Sequence, residues 1–274
     1  MAIELGKAYV QIVPSAKGIS GGITNQVVPA ADAAGRTGGL TLGKKLAAVA
    51  SAAIAAAGIG KAIAASIEEG GKLQQSIGGV ETLFKSSAGM VKKYAQEAYR
   101  TTGVSANSYM ENVTSFAASL VSSCGGNTKK AAKLANTAMT DMGDNANKMG
   151  TDMELVQETY QSLARGNYEM LDNLKLGYGG TKSEMERLMK DAEKLTGEHY
   201  TVGDFGDTVK AIHAVQEHLK ITGTTAKEAS TTLQGSFNSM KASFQDVLGN
   251  LSDGELDITP SLNALATTTS ICCP

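Results

Sequence analysis

The chain has 274 residues, enough for one or two domains with a hydrophobic core. Its formal net charge of −2 offers no basic surface for nucleic acid, so specific DNA or RNA binding is disfavoured. Because aromatic residues make up only 5% and tryptophan is absent, we expect a thin core of alanine, small aliphatic residues and methionine, which favours association with further copies or partners.

The first 39 residues are predicted to form a flexible arm, because residues 15–39 are rich in Gly, Ala and Thr and contain Pro29. Val10 and Ile12 lie on one side of a short predicted strand that ends at Pro14. No long apolar segment precedes Pro14, so we expect no secretory signal.

Residues 40–70 are predicted to form an Ala- and Gly-rich apolar helix. Its uncharged part, residues 46–60, rises only about 22 Å, which is short of the roughly 30 Å hydrocarbon core of a membrane. Small residues recur four apart, at Ala47, Ser51 and Ala55, and this spacing favours close packing between helices. A membrane-active or pore-associated module, with residues 40–67 inserted, remains an alternative.

Residues 78–250 are predicted to fold as several short amphipathic helices, in a bundle or an elongated array, so the fold class is mostly α. Two helix starts carry a predicted cap, at Ser105 and Asn127. Three more match a capping box, namely Thr151 with Glu154, Thr181 with Glu184, and Thr225 with Glu228.

Two apolar stripes in this region are predicted to face a core. The first has Gly223 past its end and consists of Phe205, Val209, Ile212, Val215 and Leu219. The second is the longest in the chain and consists of Leu233, Phe237, Met240, Phe244, Val247, Leu248 and Leu251. The second stripe fits either a core or pairing with another copy, as in a coiled coil.

Residues 165–182 interrupt the helical pattern with a connection rich in Gly and Tyr, which we interpret as a hinge or loop. Gly166 suits the positive φ that follows a helix end, and Gly177, Gly179 and Gly180 suit a tight turn. The connection lacks both the P-loop spacing and a preceding strand, so we predict no nucleotide site.

Other stretches that suggest chemistry lack the necessary context. Residues 141–147 resemble a calcium loop but miss the EF-hand series and its final glutamate. Asp204-Phe205-Gly206 lacks the remaining kinase motifs. The histidines His199, His213 and His218 are interpreted as ordinary, since residues five apart on a helix point in different directions. We therefore predict no enzyme activity and assign no catalytic, cofactor-binding or metal residues.

Residues 251–274 lose the helical pattern and are predicted to be an irregular tail. The three cysteines, Cys124, Cys272 and Cys273, are too few and too badly placed for a disulfide framework or a four-ligand zinc site. They fit a reducing, intracellular environment.

Residues 161–182, 211–217 and 221–230 strongly resemble tail tape measure proteins of long-tailed bacteriophages and prophages, and residues 8–19 resemble the amino-terminal start of the same proteins. The resemblance implies a structural role in tail assembly, in which extended copies set tail length while tube subunits polymerise around them, and a part in passing DNA into the host. It implies as partners further copies of the chain, tail tube and assembly proteins, chaperones and, transiently, the host membrane. The implied locations are the host cytoplasm during assembly and the interior of the virion tail.

Length is the departure from this family, whose members are normally much longer and include a helical rod. Even one unbroken helix of 274 residues would span at most about 410 Å. We therefore expect an amino-terminal portion of a tape measure, either truncated or one piece of a split gene. A small self-associating helical interaction protein is the remaining alternative.

Overall fold

The computed structural model describes residues 59–231, 233–252 and 259–272. The regular structure in these ranges is helical, with no strand, which confirms the mostly α fold class. The predicted arm, its strand and the part of the Ala-rich helix before Ile59 lie outside the described residues.

The helices, in chain order, are α1 Ile59–Phe84, α2 Ala88–Thr101, α3 Ala106–Ser123, α4 Thr128–Met149, α5 Met153–Ala164, α6 Lys182–Thr196, α7 Phe205–His218, α8 Thr224–Thr231, α9 Leu233–Ser252 and α10 Thr259–Cys272. Two short 3₁₀ helices, Lys85–Ser87 and Leu171–Leu174, lie in connections. The helices pack around one another as a bundle.

Helix α4 is the central element, because it packs against α1, α2, α3, α5, α7 and α8. Its buried face begins with small side chains, which let neighbouring backbones approach closely: Ala131, Ala132, Ala135 and Ala138. At Gly143 the approach is closest, since a Cβ there would lie 2.8 Å from the carbonyl oxygen of Thr102. Alanine thus lines this helix as predicted, but the core as a whole is not thin, because Tyr109, Tyr160, Phe84 and Phe116 are among its largest fully buried side chains.

Three predicted helix starts are confirmed as N-caps. The Ser105 side chain accepts a hydrogen bond from the amide of Ser108 at 3.3 Å. Asn127 and Thr181 accept from the amides three residues further on, at 3.0 Å and 3.2 Å. The Thr181 box is only half formed, because Glu184 accepts from the amide of Gly179 at 3.0 Å and not from that of Thr181.

The other two capping boxes were wrong. Helix α5 is capped by Asp152, whose carboxylate accepts from the Glu154 amide at 2.9 Å. The Thr151 hydroxyl instead donates to the carbonyl of Asn173 at 3.0 Å. Thr225 lies within the first turn of α8, where its amide donates to a carboxylate of α4. In both places a stronger acceptor occupies the position predicted for the threonine.

Helix boundaries differ from the predictions at three places. Helix α1 runs through Gly70 and Gly71, so no helix end separates residues 40–70 from residues 78–250. Helix α7 ends at His218, and Leu219, which was predicted as the last member of the buried stripe, is 46% exposed. Thr259–Cys272 is helical where an irregular tail was expected, and Pro260 is tolerated because it lies in the first turn.

The long stripe of α9 is only partly buried. Met240, Phe244, Val247 and Leu248 are intermediate in exposure. The buried side chains of the described part of α9 are small, namely Ser239, Ala242 and Ser243. Helix α9 contacts α1, α2, α3, α8 and α10.

Candidate functional site

A cluster of buried polar side chains lies near the carboxyl end of α4. Asp141, Asp144 and Asn145 are each 0% exposed, and their spacing of three and four residues places them on one helix face. This face continues the stripe of buried alanines, and it meets α5, α7 and α8. Charged groups at such positions require partners from other elements.

Asp141 is paired with His213 of α7. The histidine Nδ1 lies 2.8 Å and 3.1 Å from the two carboxylate oxygens. Burial raises the pKa of Asp141 to about 6, and the hydrogen bond with His213 offsets part of that effect. The same hydrogen bond raises the pKa of His213. The pair therefore binds protons more tightly than two isolated side chains would.

Asp144 caps α8 from a distance in the sequence. Its two carboxylate oxygens accept hydrogen bonds from the amides of Gly223, at 2.6 Å, and Thr225, at 2.8 Å. These amides belong to the start of α8, which has no acceptor in the preceding helix turn. The α8 start is thus held by α4, through a negative charge that also suits the helix dipole.

Asn145 and its neighbours hold the Gly- and Tyr-rich connection. The Asn145 amide donates to the carbonyl of Leu174 at 2.9 Å, in the short 3₁₀ helix. Lys175, which has a positive φ of 55°, places its ammonium group 3.2 Å from the carbonyl of Met149 at the end of α4. The predicted hinge or loop is therefore a connection docked onto the carboxyl end of α4.

Four buried side chains in or beside this cluster have polar atoms without a hydrogen-bond partner within the described protein: the Tyr160 and Thr225 hydroxyls, both ends of the Gln216 amide and the Oδ1 of Asn145. Tyr160, Gln216 and Asn145 are 0% exposed. Burial, together with the charges of Asp141 and Asp144, raises the pKa of Tyr160 well above its ordinary value. A buried polar group without a partner costs free energy, so these atoms reduce the stability that the cluster's hydrogen bonds contribute.

The second half of the connection is fastened to α6 by Arg187. Its guanidinium group donates to the carbonyl of Gly177 at 2.6 Å and lies 4.3 Å from the ring centre of Tyr178. It also pairs with Glu184, whose carboxylate accepts from the Gly179 amide. Because Glu184 already occupies that amide, the glycine turn does not present it to a phosphate.

The histidines have separate surroundings. His199 is an exposed residue beside Glu193, whereas His213 pairs with Asp141 and His218 ends α7. Residues 141–147 lie inside α4 and do not form a loop. Across the part of the chain that the structure describes, no group of three or more His, Cys, Asp or Glu could hold a metal ion.

Two grooves border α9. The larger, of about 350 Å³, is polar and is lined by Lys72, Asn107, Glu111, Lys241 and Gln245, among others. The smaller, of about 130 Å³, reaches α10 and is lined by Leu73, Ile77, Met110, Pro260 and Ala264, among others.

Within the described ranges, no helix is long and apolar enough to cross a membrane.

The polar cluster was not predicted from the sequence, although a signal for it exists. Asp141 and Asn145 follow Ala138 at intervals that continue its buried stripe, so acidic and amide groups occupy positions that normally hold apolar side chains. The likeness of residues 141–147 to a calcium loop concealed this periodicity.

Comparison of the chain with protein-family models, with curated proteins and with solved structures finds no match.

Proposed function

We propose that this chain is a structural protein of phage tail assembly, of the tape-measure type that its sequence resembles. It acts through helical surfaces and has no catalytic role. Its partners are further copies of itself and the tail tube and assembly proteins, and its place is inside the growing tail. There it contributes to setting tail length and to DNA passage into the host.

One observation carries this proposal: three resembling segments, although separate in the sequence, share a single anchor. Polar side chains within about one turn of α4 each hold one segment: Asn145 holds residues 161–182 at Leu174, Asp141 holds residues 211–217 at His213, and Asp144 holds residues 221–230 at Gly223 and Thr225. The resemblance thus follows one packed unit and not scattered surface positions.

The side-chain contacts of the cluster support a structural role. Polar side chains in the cluster bond to other parts of the same chain, and the glycine turn is closed by Glu184 and Arg187. The exposed faces carry charges of both signs, as in the pairs of Lys92 with Glu81 and Lys210 with Asp207. Exposed charged side chains of both signs can form ion pairs with a partner helix of complementary charge.

The test is genetic and structural. The gene is deleted in frame from the phage or prophage that carries it, and tails are measured by electron microscopy after induction. We expect tails to be absent or of irregular length, and a recoded gene for the unchanged chain to restore them. Mass spectrometry of purified tails from the restored phage should detect this chain.

Tails of normal length after deletion, together with absence of the chain from purified virions of the restored phage, would overturn the proposal. In that case a compact dimer of the purified chain, with no affinity for tail tube protein, would support the self-associating interaction protein instead. The two readouts are independent, because one concerns the virion and the other the purified chain.

A further inference from the structure

Helices α7 and α8 are attached to α4 at two neighbouring points. Asp141 holds His213, and one turn further along α4, Asp144 holds the amides of Gly223 and Thr225. Between these points the chain makes a tight turn in which Lys220 has a positive φ of 58°. A movement of the α7 end is therefore transmitted through this turn to the start of α8.

We propose that this junction is a proton-controlled joint, which holds α8 on α4 while protons are bound between Asp141 and His213 and opens locally as they leave. In the open form, the turn 219–223 and the start of α8 separate from α4, and water reaches Asp141. The rest of the bundle stays folded. This conformational device is independent of the role in tail assembly.

The charges around Asp141 determine which protonation state favours the closed form of the joint. The titratable groups that act on it are Asp144 on its own helix and His213 and Glu217 on α7, and Tyr160 of α5 lies within the influence of both aspartates. Of these groups, His213 alone is cationic when protonated. Once His213 is neutral, the buried Asp141 carboxylate is left with the negative charges of Asp144 and Glu217 and no cation, so separation that admits water becomes favourable.

The sign of the pH effect follows from the pKa values. The pKa of Asp141 is raised to about 6 by burial, and that of His213 is raised by its hydrogen bond with Asp141. Both groups bind protons more tightly in the closed form than in water, so the closed form is favoured at low pH. It loses this stabilisation as the pH rises through about 6 and then through the raised pKa of His213.

The packing gives water a short route to the carboxylate. Asp141 is 0% exposed, but the side chain of His213 that covers it is 37% exposed. Gln216, one turn along α7, has no protein partner for its amide within the described residues, so no hydrogen bond from that side chain opposes the movement. Opening exposes Ile221, which is 2% exposed in the closed form, and leaves the rest of the apolar core in place.

The experiment is amide hydrogen exchange on the full chain at about pH 5 and about pH 8, expressed as protection factors so that the intrinsic exchange rate cancels. We expect protection of the Gly223 and Thr225 amides to fall by at least about tenfold between the two, since each pKa unit corresponds to a factor of ten. Protection in α6 should stay constant. An equal fall in α6 would mean global unfolding and would overturn the proposal, as would unchanged protection at the α8 start.

Two variants separate the joint from a general pH effect. Asp141→Asn keeps a hydrogen-bonding group beside His213 but cannot ionise, so the difference in protection should vanish. Lys210→Gln removes an exposed ion pair on the same helix and should behave as the unchanged chain does. Retention of the pH effect in Asp141→Asn would overturn the proposal.

The unchanged chain offers a further check that does not depend on the folding of any variant. The ¹³C signal of the Asp141 carboxyl group is titrated by NMR and compared with the protection of the Gly223 amide. We expect protection to begin to fall in the pH range where the carboxyl group ionises. A fall in protection that is complete before ionisation begins would overturn the proposal.

Discussion

Gly180 lies directly against the carbonyl group of Glu169, so closely that a Cβ at position 180 would overlap the carbonyl oxygen. The overlapping atom belongs to the backbone and cannot rotate away. We therefore expect Gly180→Ala to lower the free energy of unfolding by about 1–3 kcal/mol, as overpacking typically does. Urea denaturation followed by circular dichroism measures this change.

Gly179→Ala is the matched control, because its Cβ would lie 3.5 Å from the Cγ of Glu184, an ordinary contact. We expect it to change stability by less than about 0.5 kcal/mol. Equal effects of the two substitutions would show that the close approach at Gly180 does not limit this turn.

Two glycines within helices should respond to alanine with opposite signs. A Cβ at Gly143 would lie 2.8 Å from the Thr102 carbonyl oxygen and force α4 away from the end of α2. Gly143→Ala should therefore destabilise the protein by about 1–3 kcal/mol. A Cβ at Gly78 in α1 would meet no atom within 4 Å, so Gly78→Ala should stabilise the protein by roughly 0.5–1 kcal/mol through helix propensity. Thermal unfolding of both variants tests the contrast.

Removal of the α8 cap, which is distant in the sequence, should lower the free energy of unfolding more than removal of the local α5 cap. Asp144→Ala leaves the amides of Gly223 and Thr225 without their acceptor, and we expect a loss of about 2 kcal/mol. Asp152→Ala removes an exposed local cap of α5, and we expect a loss of about 1 kcal/mol. Chemical denaturation of the two variants compares them, and a larger loss for Asp152→Ala would contradict the importance of the buried cap.

Glu184 holds the glycine turn through its bonds to Arg187 and to the Gly179 amide, and these bonds should be sensitive to acid. Hydrogen bonds from Arg187 and from the Gly179 amide lower the pKa of Glu184 from its ordinary 4.5 to about 2. Its contribution to stability is therefore complete above 4.5 and is lost as the pH falls through about 2. Glu184→Gln should destabilise the protein at neutral pH and show a weaker loss on acidification.

Glu186→Gln makes the same change of charge two residues along α6 and serves as the control. Thermal unfolding at several pH values, with NMR titration of the Glu184 carboxyl group, gives the comparison. A Glu184 pKa at its ordinary value would contradict the bonds of Glu184 to Arg187 and to the Gly179 amide.

The caps show which features of the fold can be predicted from sequence. Ser105, Asn127 and Thr181 were predicted correctly, because each bonds to an amide three residues away. Thr225 was predicted wrongly, because the acceptor at the α8 start comes from Asp144, far away in the sequence. A local partner is thus necessary but not sufficient, since α5 is capped locally by Asp152 and the sequence pattern favoured the neighbouring Thr151.

Helix α1 shows the same limit of prediction, because the boundary predicted at Gly70 and Gly71 is absent. Gly70 and Gly71 each disfavour a helix by about 1 kcal/mol. Leu73, Val80 and Phe84 are nearly or fully buried, and burial of each such side chain contributes about 1.5–3 kcal/mol. Tertiary packing therefore outweighs the local preference.

The polar cluster escaped prediction for a related reason, since residue type indicates that Asp141 is polar but not that His213 lies beside it.

Helix α1 packs against α3, which follows soon after it, and also against α9, which is separated from it by most of the described chain. During synthesis, α1 therefore leaves the ribosome long before α9 exists to cover it. Until then, Leu73 and Ile77, which line the groove beside α9 and α10, face water. Since non-local contacts of this kind form slowly, α1 keeps part of its apolar face exposed in the nascent chain, and this exposure favours aggregation at that stage.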